Sequence, residues 1–102
     1  MKIVGVAACT VGIAHTYIAQ QKIEEAAKKA GFEAKIETQG TIGIENELTP
    51  EEINKADIVI LAVDVKIAGE ERFKGKKVVK VSTEVAIKSP NKLIKKLGEL
   101  AK

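Results

Sequence analysis

The chain has 102 residues, 45% of them hydrophobic and 30% charged, and a formal net charge of +3. That length implies one domain spanning residues 1–102, and interleaved charges around a Val, Ile, Leu and Ala core exclude disorder. The lysines are spread along the chain with few aromatics between them, which excludes a nucleic-acid interface of clustered arginines and stacking rings, and no apolar stretch approaches the ~20 residues of a membrane span.

In chain order, the nearly unbroken apolar run Ile3 to Ala8 predicts a strand buried on both faces. A helix is expected from about Ala14 to Ala30, with Ala19, Ile23, Ala26, Ala27 and Ala30 on one face and Gly31 ending it. Phe32 to Gln39 alternates as a second strand, and Gly40 to Leu48 reads as a loop. Thr49-Pro50-Glu51-Glu52 starts a short helix that ends near Ala56. Asp57 to Val63 is the clearest buried strand, with Asp64 just past its end. A polar connection with one helical turn near Glu70–Phe73 leads to a fourth strand, Lys77 to Ser82. Thr83 to Lys88 is a short helix, and Ser89-Pro90 opens a last one with the stripe Leu93, Ile94, Leu97 and Leu100. Strands alternating with helices predict a small doubly wound, three-layer α/β domain. Its four-stranded parallel sheet has the expected order 2-1-3-4, with helices on both faces. Ligands bind beyond the carboxyl ends of such strands at the topological switch, and Cys9 and Asp64 both fall on that edge.

Cys9 is the one cysteine and His15 the one histidine. An internal disulfide is therefore excluded, a zinc site has too few soft ligands, and a reducing compartment fits. Neither a metal nor a cofactor is expected. Cys9 lies where a strand ends and a glycine-containing turn enters a helix, a place that favours the nucleophilic thiolate and also binds phosphate. The backbone amides of Thr10, Val11, Gly12, Ile13, Ala14, His15 and Thr16 can form a phosphate cradle around the sulfur. Cys9-x5-His15-Thr16 has the spacing of a cysteine phosphatase loop, with histidine in place of the arginine. The guanidinium fork is absent, so the loop suits holding a phosphoryl group more than hydrolysing it. His15 either caps the helix start or donates to phosphoryl oxygens. Tyr17 and Ile18 fall off the alanine face; they either dock a partner or pack under the 40–48 loop. Asp64, Arg72 and Glu45-Asn46-Glu47 read as ordinary surface residues.

Ala8-Cys9-x-x-Gly12-Ile13-Ala14-His15-Thr16, Glu37-Thr38-Gln39-Gly40-x-Ile42-Gly43-x-Glu45-Asn46, Ala56-Asp57-Ile58-Val59-Ile60-Leu61-Ala62 and Glu71-Arg72-Phe73 extend over nearly the whole chain. Together they resemble the fructose-class IIB component of the bacterial phosphoenolpyruvate-dependent sugar phosphotransferase system. The family loop usually reads Cys-Pro-Thr-Gly, and here Thr10 and Val11 replace Pro and Thr. The resemblance implies a phosphotransferase working through a phosphocysteine at Cys9. A phosphohistidine IIA partner donates the group, and a membrane IIC permease presents the sugar, with fructose the sugar pointed to. It also implies a cytoplasmic protein that reaches the inner face of the membrane through IIC, with no insertion of its own and no nucleic-acid partner. Two other readings compete. A thiol phosphatase would want arginine at position 15, and a non-catalytic phosphate-binding regulatory module would want a fuller glycine loop.

Overall fold

The computed structural model describes residues 1–9, 13–40 and 43–101, and of Ile13 the backbone alone. At its centre lie the parallel strands β1 (Lys2–Ala8) and β4, numbered in chain order (Ile58–Val63). β4 is buried along its whole length, and β1 from Ile3 onward. Successive side chains of a strand point to opposite faces, so each feeds two cores. Ile3, Ala7, Ile58, Ile60 and Ala62 enter one, and Val4, Val6, Ala8, Val59, Leu61 and Val63 the other. Burial on both faces is why these segments read as continuous apolar runs without alternation. Gly5 leaves room for β4: a Cβ there would meet the Ile60 carbonyl oxygen at 2.2 Å and its Cγ2 at 2.5 Å.

Beside β1 lies β2 (Glu33–Gly40), and beyond β4 lies β5 (Val78–Val81), both parallel to their neighbours. The parallel part thus runs β2-β1-β4-β5. A fifth strand, β3 (Gly43–Glu45), pairs antiparallel with the end of β2 through Thr38↔Glu45, Gln39↔Ile44 and Gly40↔Gly43. The sheet is therefore five-stranded and mixed, in the order β3-β2-β1-β4-β5, rather than four-stranded and wholly parallel. β3 lies in the stretch read as a loop. All three of its residues are exposed, so it carries no burial pattern to betray it.

Three helices cover one face: α1 (Ile13–Lys29), α3 (Thr83–Lys88) and α4 (Pro90–Ala101). α1 seats Ala19, Ile23, Ala26 and Ala27 against the sheet. Small side chains let its backbone come close. Ala30 lies past the last helical residue and is exposed, off the expected stripe. The helix closes on Gly31 at φ +81°, with the Gly31 amide donating to the Lys28 carbonyl at 3.0 Å and the Phe32 amide to that of Ala27 at 2.9 Å. This pair of bonds is a Schellman stop. On α4, Leu93, Ile94 and Leu97 are buried, whereas Leu100 is 42% exposed where the helix outruns the core. The other face is covered by α2 (Pro50–Lys55) and a 3₁₀ turn (Glu70–Phe73), which contribute Ile53 and Phe73. Thr49 caps α2 as its sequence demands: it accepts from the Glu52 amide while Glu52 accepts from the Thr49 amide.

The 3₁₀ turn is tied to the end of β2 by a buried ion pair. Arg72 donates from both terminal nitrogens to Glu37, at 2.9 and 3.0 Å, and Glu37 is fully buried. Gln39 and the Leu48 amide also donate to this carboxylate, at 2.8 and 3.0 Å. Burial alone would raise the Glu37 pKa; the Arg72 fork and the two other donors outweigh it and hold it below the ordinary value. Gln39 further exchanges two 2.9 Å bonds with the backbone of Ala68. Arg72 is thus a structural tie and not a plain surface residue. No helix among the described residues is long and apolar enough to cross a membrane.

Candidate functional site

Three neighbouring strand ends and one helix start deliver four side chains to a single spot. Ala8 pairs with Val63, so Cys9 and Asp64 are the next residues off two adjacent strands. The Asp64 amide donates to the Ala8 carbonyl at 2.9 Å and holds the two ends together. β5 ends at Val81, Ser82 caps α3, and Thr83 opens that helix, buried. α1 contributes His15 from its first turn.

The cluster is tight. The Cys9 thiol donates to Asp64 Oδ2 at 3.1 Å, and His15 Nδ1 lies 3.1 Å from the sulfur. The Thr83 hydroxyl donates to Asp64 Oδ2 at 2.5 Å, and its oxygen lies 3.3 Å from His15 Nδ1 and 3.7 Å from Sγ. The Thr83 amide, an orphan donor of the α3 start, reaches Asp64 Oδ1 at 3.1 Å. Asp64 is thereby held below its ordinary pKa. The Thr83 hydroxyl is the main cause, opposed by partial burial and helped by the Cys9 thiol, the Thr83 amide and the charge of His15. The carboxylate is ionised at neutral pH. Cys9 and His15 are half-buried, and Asp64 is exposed. The sulfur therefore has an acceptor in place for its proton and an open approach from solvent.

Of the residues expected to form the cradle, Thr10, Val11 and Gly12 lie outside the described residues. Ile13 opens α1, followed by exposed Ala14, half-buried His15 and buried Thr16. First-turn amides of a helix have no acceptor within it, which leaves those of 13–15 without an intrahelical acceptor. The Thr16 hydroxyl is buried and meets no partner among the described residues. His15 lies beside Cys9. The two residues expected to act together beside it differ in setting. Ile18 is 41% exposed, whereas Tyr17 is half-buried and its hydroxyl donates to Glu45 on β3.

Two participants were missed or undervalued in the sequence. Asp64 read as a surface residue, yet it touches the sulfur. Thr83 lies 74 positions from Cys9 and stands in the sequence only as the start of a short helix. A signal did exist: an order of 2-1-3-4 places the end of strand four one strand away from Asp64, so Ser82 and Thr83 belong to the same edge.

The chain matches, over residues 4–96, the family described as "PTS system, Lactose/Cellobiose specific IIB subunit". It is 50% identical over 96 residues to the "PTS system fructose-like EIIB component 2" of Escherichia coli K12, covering 94% of this chain and 91% of that one. Among solved structures, a domain of the fructose-specific IIABC component of Borrelia burgdorferi superposes with a TM-score of 0.90 at 58% identity, covering 96% of this chain and 93% of that one. The Enzyme IIB subunit of the PTS system from Escherichia coli K12 gives a TM-score of 0.91 at 43% identity, covering 97% and 92%.

Proposed function

This chain belongs to the IIB family of the phosphoenolpyruvate-dependent phosphotransferase system, phosphotransferases that carry a phosphoryl group in sugar uptake, and from that premise we propose that Cys9 is the carrying residue. The observation that supports this most is the thiol itself, set between the ionised Asp64 and the first turn of α1. A phosphohistidine of a IIA partner presents phosphorus in line with Sγ. The S–P bond forms as the N–P bond breaks, and the thiol proton, directed at Asp64, passes by way of that carboxylate to the departing imidazole nitrogen. In the second transfer a sugar hydroxyl held by a IIC partner attacks the phosphorus, the S–P bond breaks, and the hydroxyl proton returns to sulfur. The backbone of residues 10–16 cradles the phosphoryl oxygens, with His15 beside them. Fructose is the sugar, following the names of the relatives. The protein works as one domain in the cytoplasm, meeting IIC at the inner face of the membrane.

Both partners must cover the same sulfur in turn. Ile18, 41% exposed, sits three residues beyond His15 on the same helical face. With Tyr17 it supplies apolar contact beside the thiol for each partner.

The phosphatase reading has one observation in its favour, a carboxylate at the sulfur. That carboxylate is held ionised, so at neutral pH it has no proton for a leaving alcohol. The test is incubation with the general phosphotransferase proteins and candidate IIA domains, followed by intact mass and peptide mapping. One phosphoryl group on Cys9, discharged by fructose in the presence of IIC membranes and absent from Cys9→Ser, is the expected result. A phosphorylated His15 with unmodified Cys9 would overturn the assignment. Brisk turnover of p-nitrophenyl phosphate would favour the phosphatase.

A further inference from the structure

We propose that Cys9, His15 and Asp64 also form a binding site for one zinc ion, which competes with any other occupant of the sulfur. Among the described residues these are the one group of His, Cys, Asp and Glu donors that converges, with the three ligand atoms all within 4.8 Å of one another. Thiolate, imidazole and carboxylate are the ligand types zinc takes, at about 2.3, 2.0–2.1 and 2.0–2.2 Å. Bonds of those lengths at a tetrahedral angle separate neighbouring donors by roughly 3.4–3.6 Å. Here Sγ lies 3.1 Å from both His15 Nδ1 and Asp64 Oδ2. These two pairs need open by only a few tenths of an ångström to admit the ion. Counting soft residues in the sequence found only two ligands; the adjacent strand end supplies the third.

The charge also balances. A thiolate and an ionised Asp64 neutralise the two positive charges of the ion, and His15 binds as the neutral ring. The proton that the thiol directs at Asp64 is displaced to solvent as the S–Zn bond forms. Asp64 is oriented by Thr83, whose hydroxyl holds Oδ2 at 2.5 Å and whose amide holds Oδ1 at 3.1 Å. Such outer bonds fix the direction of a metal-binding carboxylate. Asp64 is exposed and the other two ligands are half-buried, so an ion enters from water and keeps a water as its fourth ligand. Hard cations such as magnesium prefer oxygen alone and are rejected by this set.

The site stands on the ligand geometry and not on the phosphoryl reading, and its readouts are metal binding and thiol protection. Zinc is titrated into the reduced full chain against a chromophoric chelator, with iodoacetamide alkylation of Cys9 followed in parallel. The expected result is one ion per chain, with alkylation suppressed in proportion to occupancy, restored by EDTA and unaffected by magnesium. Cobalt in place of zinc should give a thiolate charge-transfer band in the near ultraviolet and intense tetrahedral bands in the visible. Thr83→Val, which leaves all three ligands in place, should weaken zinc roughly 10- to 100-fold; His15→Ala and Asp64→Asn should weaken it further, and Cys9→Ser should abolish the cobalt charge-transfer band. Unchanged zinc affinity in Cys9→Ser or His15→Ala, equal protection by magnesium, or undiminished alkylation at saturating zinc would each overturn the site. Should a variant fail to fold, the cobalt spectrum of the unmodified chain decides, because a pale octahedral spectrum without charge transfer excludes the thiolate.

Discussion

Glu37 within β2 and Asp64 just past the end of β4 are both carboxylates held below their ordinary pKa, yet their surroundings differ in kind. Glu37 is fully buried and answered by a full cation, the two-pronged Arg72, with Gln39 and the Leu48 amide beside it. Asp64 is exposed and held by the Thr83 hydroxyl and amide and the Cys9 thiol, with His15 near. The first arrangement spends its charge internally and ties the 3₁₀ turn to β2. The second leaves an ionised carboxylate exposed beside a nucleophile. A buried, compensated carboxylate builds the rim, and an exposed one held by neutral donors remains available to whatever occupies the sulfur.

The sharpest way to break this contrast is Arg72→Met. It strands the Glu37 charge in the interior, and removing one partner of a buried pair costs roughly 3–5 kcal/mol. Urea denaturation should show that loss, while the alkylation rate of Cys9 in the remaining folded protein stays unchanged. A loss under about 1 kcal/mol, the range of surface pairs, would mean that Glu37 is not relying on its fork.

Acid should reveal what Glu37 contributes. The Glu37 pKa is lowered on folding, so its contribution is present above the unfolded value of about 4.3 and is lost as pH falls through the folded value below it. Glu24, raised by burial, works in the opposite direction over the range above that value. The urea midpoint should therefore fall steeply only below about pH 4.3, and Glu37→Gln should flatten that fall. An unchanged acid limb in Glu37→Gln would sink the idea.

Asp64→Asn keeps the side-chain shape and deletes the charge. Stability should barely move. A screened repulsion of about 1 kcal/mol between this carboxylate and a phosphoryl group on sulfur converts to about a fivefold longer life for the phosphorylated chain, read by intact mass over time. A shorter life would instead identify Asp64 as a stabiliser of the carried group. The smallest effect is expected from Tyr17→Phe, which removes the bond to Glu45 and should cost under about 1 kcal/mol, measured by denaturation. A larger loss would show that β3 depends on that tether.

What could be read from the sequence was local. The apolar runs of β1 and β4, the Thr49–Glu52 capping box, the Gly31 stop and the placement of Cys9 at a strand end each depend on a few consecutive residues, and each appears in the structure. The parallel order β2-β1-β4-β5 followed from alternation and crossover handedness. What escaped depended on distance. Arg72 meets Glu37 across 35 positions, and Thr83 meets Cys9 across 74, so neither pairing leaves a periodic trace. β3 escaped for a different reason: a three-residue, fully exposed edge strand has no hydrophobic signature. Leu100 was placed on the core stripe because periodicity reports direction around a helix and not where the core ends.

The alanine seat of α1 bears on the thermodynamics of encounter. Ala19, Ala26 and Ala27 have no rotamers to rearrange, and the helix they hold carries His15 and Ile18 at its exposed end. Ordering flexible side chains and loops at an interface takes about 0.5–1.5 kcal/mol from each rotamer-rich residue immobilised. A protein that meets two different partners over one atom would incur that loss twice in every cycle if its own surface had to set on contact. With that helix already seated on the sheet, the helix itself adds little to that loss. A preorganised surface lets a small contact suffice, and a small contact is one that a shuttle can also leave.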